Sequence, residues 1–393
     1  MAVDSLILVA NPGSSSRKYA LYKDKRERLR LHFEYEKFQI KCHIYSTKKT
    51  ETRICDFTDI SQSIEYVDPI LRELKLVTDT EIISKIGLRI VAPSEYFLTT
   101  RVLDDNAVSI LEQLELSAPL HIRASLDELV SIKRVFGDVE VIGVSDSAFH
   151  STKPSYAWNY GIDIDIANEL GLKRFGYHGL SVSSVVTNLS FDLPSKMVVC
   201  HLGSGASVTA VQNGKSLDNT MGYSPTEGLV MATRAGTMDI GAALTIKNHL
   251  GLDDAGLELY LNKQSGLIGL SKQSDDIRYL IEQYEKSDPL AGLALDTYAY
   301  SVKKAIGQMV AILDGLDALV FTGTVGCRSP FIRNLIADKL DYFGISIDKK
   351  RNNKCIQPLV PNIVSVRTRV NQILVVPTNE EAEIARTTRS FSY

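Results

Sequence analysis

Val198-Val-Cys-His201-Leu-Gly203-Ser204-Gly205-Ala-Ser207 is an apolar run that empties into a glycine turn. The chain re-emerges as a second run, Ala206 to Val211, closed by Asn213-Gly214. Strand, small polar turn and return strand make a hairpin. Upstream lies Arg174-Phe-Gly-Tyr-His178-Gly179. Downstream, Asn219-Thr-Met-Gly222-Tyr-Ser-Pro225-Thr-Glu227-Gly228 leads through Met231 to Thr233-Arg234-Ala-Gly236. A packed fold needs few glycines and almost no buried Arg or His. Their concentration between Arg174 and Gly236 points to backbone drawn up against a charged ligand.

The same pattern opens the chain. Ser5 to Ala10 reads as a buried strand, Asn11-Pro-Gly-Ser-Ser-Ser16 as a tight polar turn and Lys18 to Tyr22 as the return strand, with strand-like alternation continuing from 29 to 46. It recurs where Ala318-Leu-Val-Phe-Thr-Gly323 opens into a third glycine turn, Gly323-Thr-Val-Gly326. Helical spacing appears at 105–116, 125–136, 239–250, 276–285, 290–313, 330–343 and 379–388. Short apolar strands at 139–144 and 373–376 complete the pattern, the first ending at Ser145-Asp146-Ser147. The expectation is an α/β protein with a duplicated mixed sheet and flanking helices. A hinge falls near residue 150, and the last helix returns to the first domain.

Composition bounds the function. The 393 residues suit two domains, with 44% hydrophobic and 23% charged residues as in a soluble globular protein. A net charge of −3 gives no electrostatic case for nucleic acid or an acidic membrane surface. The basic cluster Lys23 to Arg30 reads as a solvated hairpin tip. Five scattered cysteines without CxxC spacing indicate neither zinc nor a disulfide framework, and fit a reducing, cytoplasmic compartment. No apolar run reaches membrane-spanning length.

Each candidate residue has a plain structural reading beside the functional one. The Asn11–Ser16 turn lacks a Walker ending and leads to a strand, so it is either an ordinary hairpin or a nest of amides for phosphate, with Lys18 beside it. Arg89 ends the run Ile82 to Leu88, and Arg234 follows Val230 to Thr233. Each is a structural ion-pair residue or a grip on a planar anion. His121 and His178 stand beside Leu120 and Tyr177, and His150 and His249 read as satisfied core histidines. Asp146 sits at a strand end, the place of a turn cap or of a catalytic carboxylate. Glu380 and Glu381 suit the first turn of a helix without any metal.

Taken together and in order, ANPGSSSRKY, GLRIV, APLH, SDSAFH, RFGYHGLS, CHLGSGASV, NTMGYSPTEGLVMATRAG, SGLIGLS, SDDIR, VFTGTVG and PTNEEAEIAR resemble the acetate kinase family, within the acetate kinase, sugar kinase and actin superfamily. The resemblance runs from residue 6 to 388. It implies two ribonuclease H-like domains around a central cleft: 1–149 plus 379–393, and a nucleotide-binding and dimerisation domain at 150–378. It implies reversible, direct in-line transfer of the ATP γ-phosphoryl group to acetate, a homodimer and no nucleic-acid or membrane partner.

By the same resemblance Asn11 and Glu380 would help hold Mg²⁺, with Mn²⁺ as a substitute. Lys18 and the 201–205 loop (His201, Leu202, Gly203, Ser204, Gly205) would meet the donor phosphates. Arg89 and Arg234 would bind the carboxylate and the phosphoryl group in flight. His178 would stabilise the transition state, Asp146 would orient the transfer and His121 would support the phosphoryl position. Val91, Leu120, Tyr177 and Pro225 would line the acyl pocket. Asp276, Ile277, Arg278 and the turn Gly323, Thr324, Val325, Gly326 would lie near the nucleoside. The chain departs from the family at Ala92-Pro93-Ser94, Ser204, Thr237, Thr324, Cys327, Arg328 and Tyr177, on the donor side and the acyl rim. The rival readings are a propionate or butyrate kinase, a pyrophosphate-using acetate kinase, and a non-catalytic actin-like nucleotide-binding protein.

Overall fold

The structure, a computed structural model, describes residues 4–13, 16–36, 39–78, 81–115, 119–367 and 371–392, with backbone alone at 4 and 119–121. The chain divides into two compact units, Met1–Ala148 with Asn379–Tyr393, and Phe149–Thr378.

The first unit is built on strands β1 (Asp4–Pro12), β2 (Ser16–Lys23), β3 (Arg26–Glu36), β4 (Gln39–Ser46), β5 (Thr50–Ile54), β6 (Glu81–Ile90), β7 (Arg101–Val102) and β8 (Glu140–Ser145). They form one sheet in the order β5-β4-β3-β2-β1-β6-β8-β7. The strands β1 to β5 run antiparallel, whereas β6 is parallel to β1 and β8 is parallel to β6. Leu6, Leu8, Leu21, Leu31, Phe33, Ile86 and Leu88 fill its core with side chains from the helix Pro119–Phe136 and the 3-10 turn Ile60–Tyr66.

The second unit repeats the plan with β9 (Lys196–Leu202), β10 (Ala206–Gln212), β11 (Lys215–Asn219), β12 (Ala318–Thr322), β13 (Asn362–Ile363) and β14 (Gln372–Val375), in the order β11-β10-β9-β12-β14-β13. Here three antiparallel strands come first, and β12 and β14 join in parallel. All five residues of β12 are buried, as expected of a parallel strand covered on both faces. The helix Pro289–Leu313 packs on β9 and β10. Asp288 caps it by accepting from the Leu290 and Ala291 amides, with proline in the first turn where no donor is missed.

The last helix, Glu380–Ser390, packs on β1 and β6. A side chain at Gly87 of β6 would place its Cβ 2.3 Å from Thr388 Oγ1, so this seat requires glycine. Asn379 caps the helix by accepting from the Ala382 amide.

Several expected elements differ. Gly323–Gly326 is not a turn: β12 passes into a short helix, Gly323–Arg328, whose Gly326 carbonyl is held by the buried guanidinium of Arg333 at 2.7 Å. The helix expected over 330–343 ends at Ala337, because Asp338 turns extended and Lys339 adopts φ 60°. The helix expected from 125 begins at Pro119, a residue suited to the first helical position. His249 is exposed in the helix Ile240–Leu250, which buries none of its residues, and so is no core histidine. Arg28, assigned to a solvated tip, lies within β3 and bonds Glu81 at 2.8 Å.

Candidate active site

In the first unit the parallel register sets the polar groups side by side. Asn11 and Arg89 follow the paired residues Ala10 and Leu88, while Ile90 pairs with Ser145, one residue before Asp146. Arg89 Nη2 meets Asp146 Oδ2 at 3.0 Å, and Arg89 Nη1 donates to Asn11 Oδ1 at 3.4 Å. Burial opposes the charge on Arg89. The carboxylates of Asp146, Glu380 and Glu381 more than offset it, and the guanidinium pKa is raised.

The amide of Asn11 reaches two acids of the last helix, Glu380 Oε2 at 3.1 Å and Glu381 Oε1 at 2.9 Å. Lys18, opposite Asn11 in the β1–β2 register, sits 3.9 Å from Glu381. By sequence Glu381 suits a helix start; in the structure it is the more buried of the pair. Its signal was the run Asn379-Glu380-Glu381, which a helix start explains equally well. Val91 is half-buried just beyond β6, and Ala92 and Pro93 beside it are buried. Leu120 and His121 open the helix Pro119–Phe136, and their side chains lie outside the described residues.

In the second unit His178 occupies the N-cap of the helix Gly179–Asn188 with φ 59°, a left-handed conformation uncommon for histidine. Its ring stacks on His201 with centroids 4.2 Å apart. Its Nδ1 is 3.0 Å from Ser207 Oγ, while His201 Nδ1 is 2.7 Å from Ser181 Oγ. Ser207 and His201 are register partners across β9 and β10. Ser207 and Ser181 escaped the sequence reading, since a serine in a glycine-rich stretch carries no signal of its own.

A Cβ at Gly205 would lie 3.2 Å from His178 Nε2 and 3.6 Å from Arg234 Nη1. The glycine therefore lets bare backbone come up to an imidazole and a guanidinium together. Arg234 Nη1 also donates to the Pro225 carbonyl at 3.4 Å. Tyr177 is buried, and its hydroxyl donates to the Tyr223 carbonyl at 2.6 Å, fixing the segment before Pro225. Behind it Tyr160 donates to Glu227 at 2.5 Å, and Arg174 pairs with the same carboxylate at 2.7 Å. Thr237 closes the 228–237 loop, its hydroxyl accepting from the Gly228 amide at 3.0 Å.

The His201–Gly205 turn adjoins the corner after β12, since Thr322 pairs with His201. Thr324 is exposed and Val325 half-buried on the short helix that follows. Ile277 is buried at the start of the helix Ile277–Glu285. Asp276 caps that helix and pairs with Arg278 at 2.7 Å.

The first sheet ends beside Asn11, Arg89 and Asp146, and the second beside His178, Arg234 and the bare backbone of Gly205, in an α/β protein with two mixed sheets. The chain matches the Acetokinase family over residues 6–386. It is 34% identical over 395 residues to the acetate kinase of Pseudothermotoga lettingae, spanning 98% of this chain and 96% of that one. The crystal structure of Porphyromonas gingivalis acetate kinase superimposes with a TM-score of 0.84 at 30% identity, covering 98% and 99% of the two chains. A propionate kinase from Francisella tularensis superimposes with a TM-score of 0.88, also at 30% identity, covering 99% and 100%. The chain belongs to the acetokinase family and is a kinase of that phosphotransferase class.

Proposed function

We propose that this protein is a Mg²⁺-dependent acetate kinase, transferring the γ-phosphoryl group of ATP to acetate and reversing the reaction from acetyl phosphate and ADP. The observation that carries the reading is the convergence of His178 and Arg234 on the bare backbone of Gly205. Transfer between two anions requires charge neutralisation more than any base, because a carboxylate is already a nucleophile. Arg234 would bind the phosphoryl group in flight, and His178 Nε2 would donate to its oxygens. For a neutral ring this needs Nδ1 to accept from the Ser207 hydroxyl. Arg89, held by Asp146, would orient the acceptor carboxylate. Lys18 and the 201–205 turn would meet the donor phosphates, and Val91, Tyr177 and Pro225 would border the acyl group.

The donor set fits a hard cation. The Asn11 amide draws the carboxylates of Glu380 and Glu381 to 3.1 and 2.9 Å, giving convergent oxygens of the kind Mg²⁺ takes. When bound there, Mg²⁺ would supply charge neutralisation on the donor phosphates. A homodimer is supported by the helix Ile240–Leu250, which is capped at both ends yet leaves Ile240, Leu244 and Leu250 exposed. A cytoplasmic setting is supported by five unbridged cysteines.

Trapping acyl phosphate as the hydroxamate, with acetate, propionate and butyrate against ATP and pyrophosphate, tests the reading. Acetate with ATP is expected to give the highest kcat/KM. Product from propionate or butyrate in preference to acetate would move the acceptor, and no product from any acid would overturn the reading.

A further inference from the structure

The 222–228 arch, which carries Pro225, is braced by side chains that the transfer chemistry does not use. Its peptide groups are held one after another. The Phe175 amide donates to the Gly222 carbonyl at 3.0 Å. The Tyr223 amide donates to the Tyr160 hydroxyl oxygen at 2.8 Å, and the Tyr223 carbonyl accepts from the Tyr177 hydroxyl at 2.6 Å. The Pro225 carbonyl then accepts from Arg234 at 3.4 Å.

Tyr160 serves the arch twice. Its hydroxyl accepts from Tyr223 and donates to Glu227 Oε2 at 2.5 Å, so one phenol ties the two sides of the arch together. Burial and the Glu227 carboxylate raise the pKa of that hydroxyl, which keeps its proton for the bond. Arg174 holds the other carboxylate oxygen at 2.7 Å, and its guanidinium lies 4.7 Å from the Tyr160 ring centroid. Gly222 makes the room for this meeting, because a Cβ there would collide with Glu227 Oε2 and with the Tyr160 oxygen.

Stability is a weak account of the arrangement. The Arg174 and Glu227 side chains are 36% and 21% exposed, and an ion pair partly open to water is screened. What the brace fixes is shape. Tyr177 and Pro225 are both buried, and the Tyr223 peptide stands between them, bonded to Tyr177 and two residues ahead of Pro225. With that peptide also held by Tyr160, the ring and the proline cannot part without breaking the brace.

We propose that Tyr160 and Glu227 are positioning residues that brace the 222–228 arch, so that the space between Tyr177 and Pro225 does not yield to a longer acyl chain and acetate is selected over propionate. This rests on the acyl group lying against Tyr177 and Pro225, as in the proposed function. One extra methylene costs roughly 10- to 200-fold in a pocket that cannot widen. A loosened arch should give part of that back, and donor binding should be indifferent to it.

The test is kcat/KM for acetate, propionate and butyrate at saturating ATP, read as hydroxamate, on the whole protein and on variants of the brace. Tyr160→Phe removes one oxygen and keeps the ring beside Arg174. It is expected to raise the propionate-to-acetate ratio of kcat/KM roughly 5- to 10-fold, with the ATP KM within twofold. Glu227→Gln keeps an acceptor for Tyr160 and loses the charge pair, so a smaller rise in the same direction is expected. Gly222→Ala reaches the brace from the other side by displacing the carboxylate, and should resemble Tyr160→Phe. The double variant Tyr160→Phe/Gly222→Ala should move the ratio no further than Tyr160→Phe alone, because both release one element. Thermal midpoints identify the folded variants, and Tyr160→Phe decides if Gly222→Ala does not fold. An unmoved or lowered ratio in folded Tyr160→Phe, or equal falls for all three acids, would overturn the brace while leaving the proposed function standing. A wild-type chain that forms acyl phosphate from no acid would overturn both.

Discussion

The side-chain amide of Asn11 donates to the carboxylate of Glu380 at 3.1 Å across 369 residues of sequence. The contact exists because the last helix seats on β1 and β6, against the glycine at position 87. In the proposed function it would make one cation site out of two segments far apart in sequence. Glu380→Ala is expected to raise the Mg²⁺ concentration for half-maximal activity roughly 10-fold or more while leaving the unfolding midpoint within a degree or two. A Mg²⁺ titration of the purified variant checks this. An unchanged curve would reduce Glu380 to a residue that merely suits a helix start.

Arg234 tests the charge-neutralising half of the reading. Arg234→Ala should lower kcat by roughly 10²-fold or more with little change in stability, because the lost contact matters chiefly as charge develops. Arg234→Lys should recover only part of it, since an ammonium cannot reproduce the planar fork. A folded alanine variant with near-normal kcat for every accepted acid would refute the role.

The fold was legible because its signals are local. Buried strands such as Ala318 to Thr322, and helices bounded by Asp288 or Asn379, announce themselves through apolar runs and caps. The failures have physical causes too. Glycines at 323 and 326 suggested a turn, but one left-handed residue followed by a guanidinium bond from Arg333 produces a helix. His249 reads in the sequence as a core histidine, but burial cannot be read from composition when the helix Ile240–Leu250 leaves its apolar face uncovered. At the site, Arg89, Asp146, Asn11 and Glu380 were legible as types within motifs. Ser207 and Glu381 were not, since their importance is a register and a helix seat rather than a residue pattern.

Ser207 offers a finer test. If its hydroxyl fixes which nitrogen of His178 carries the proton, Ser207→Ala should lower kcat by about 10-fold and leave the acetate KM nearly unchanged. The pH profile of kcat should shift as well, which a loss of packing alone would not produce. Equal falls in kcat and stability with an unmoved profile would count against the tautomer argument.

His150 governs a stability window. It is fully buried between Ser216 Oγ at 2.9 Å and the Tyr177 carbonyl at 3.0 Å, and burial, helped by Lys153, depresses its pKa to about 3. A base whose folded pKa lies below the ordinary value near 6.5 binds fewer protons folded than unfolded. Its contribution is therefore full above about 6.5 and is lost as pH falls toward 3. His150→Gln should cost stability at pH 7 yet flatten the acid limb, by on the order of 3 kcal/mol across the window. Urea midpoints at pH 7 and pH 4 decide it: parallel declines in both proteins would contradict the buried neutral imidazole.

The last prediction concerns the donor base. The corner after β12 is a short helix whose first turn exposes Thr324, with Arg328 exposed at its end. A β-branched residue there adds bulk and stiffness where a nucleoside approaching the His201–Gly205 turn would seek bare backbone. Asp276 and Arg278, proposed to lie near the nucleoside, engage each other at 2.7 Å, which would leave a purine edge there weakly read. ATP should therefore be accepted, with GTP and ITP within about 10-fold of it in kcat/KM, less discrimination than about one well-placed buried hydrogen bond would impose. Thr324→Gly should raise kcat/KM for all three nucleotides by a similar factor, because it opens space without adding a donor or acceptor. Measuring kcat/KM for ATP, GTP, ITP and pyrophosphate at saturating acetate checks the idea. A preference for ATP beyond 100-fold would reject the loosely read base, and activity with pyrophosphate alone would remove the nucleoside from the reaction.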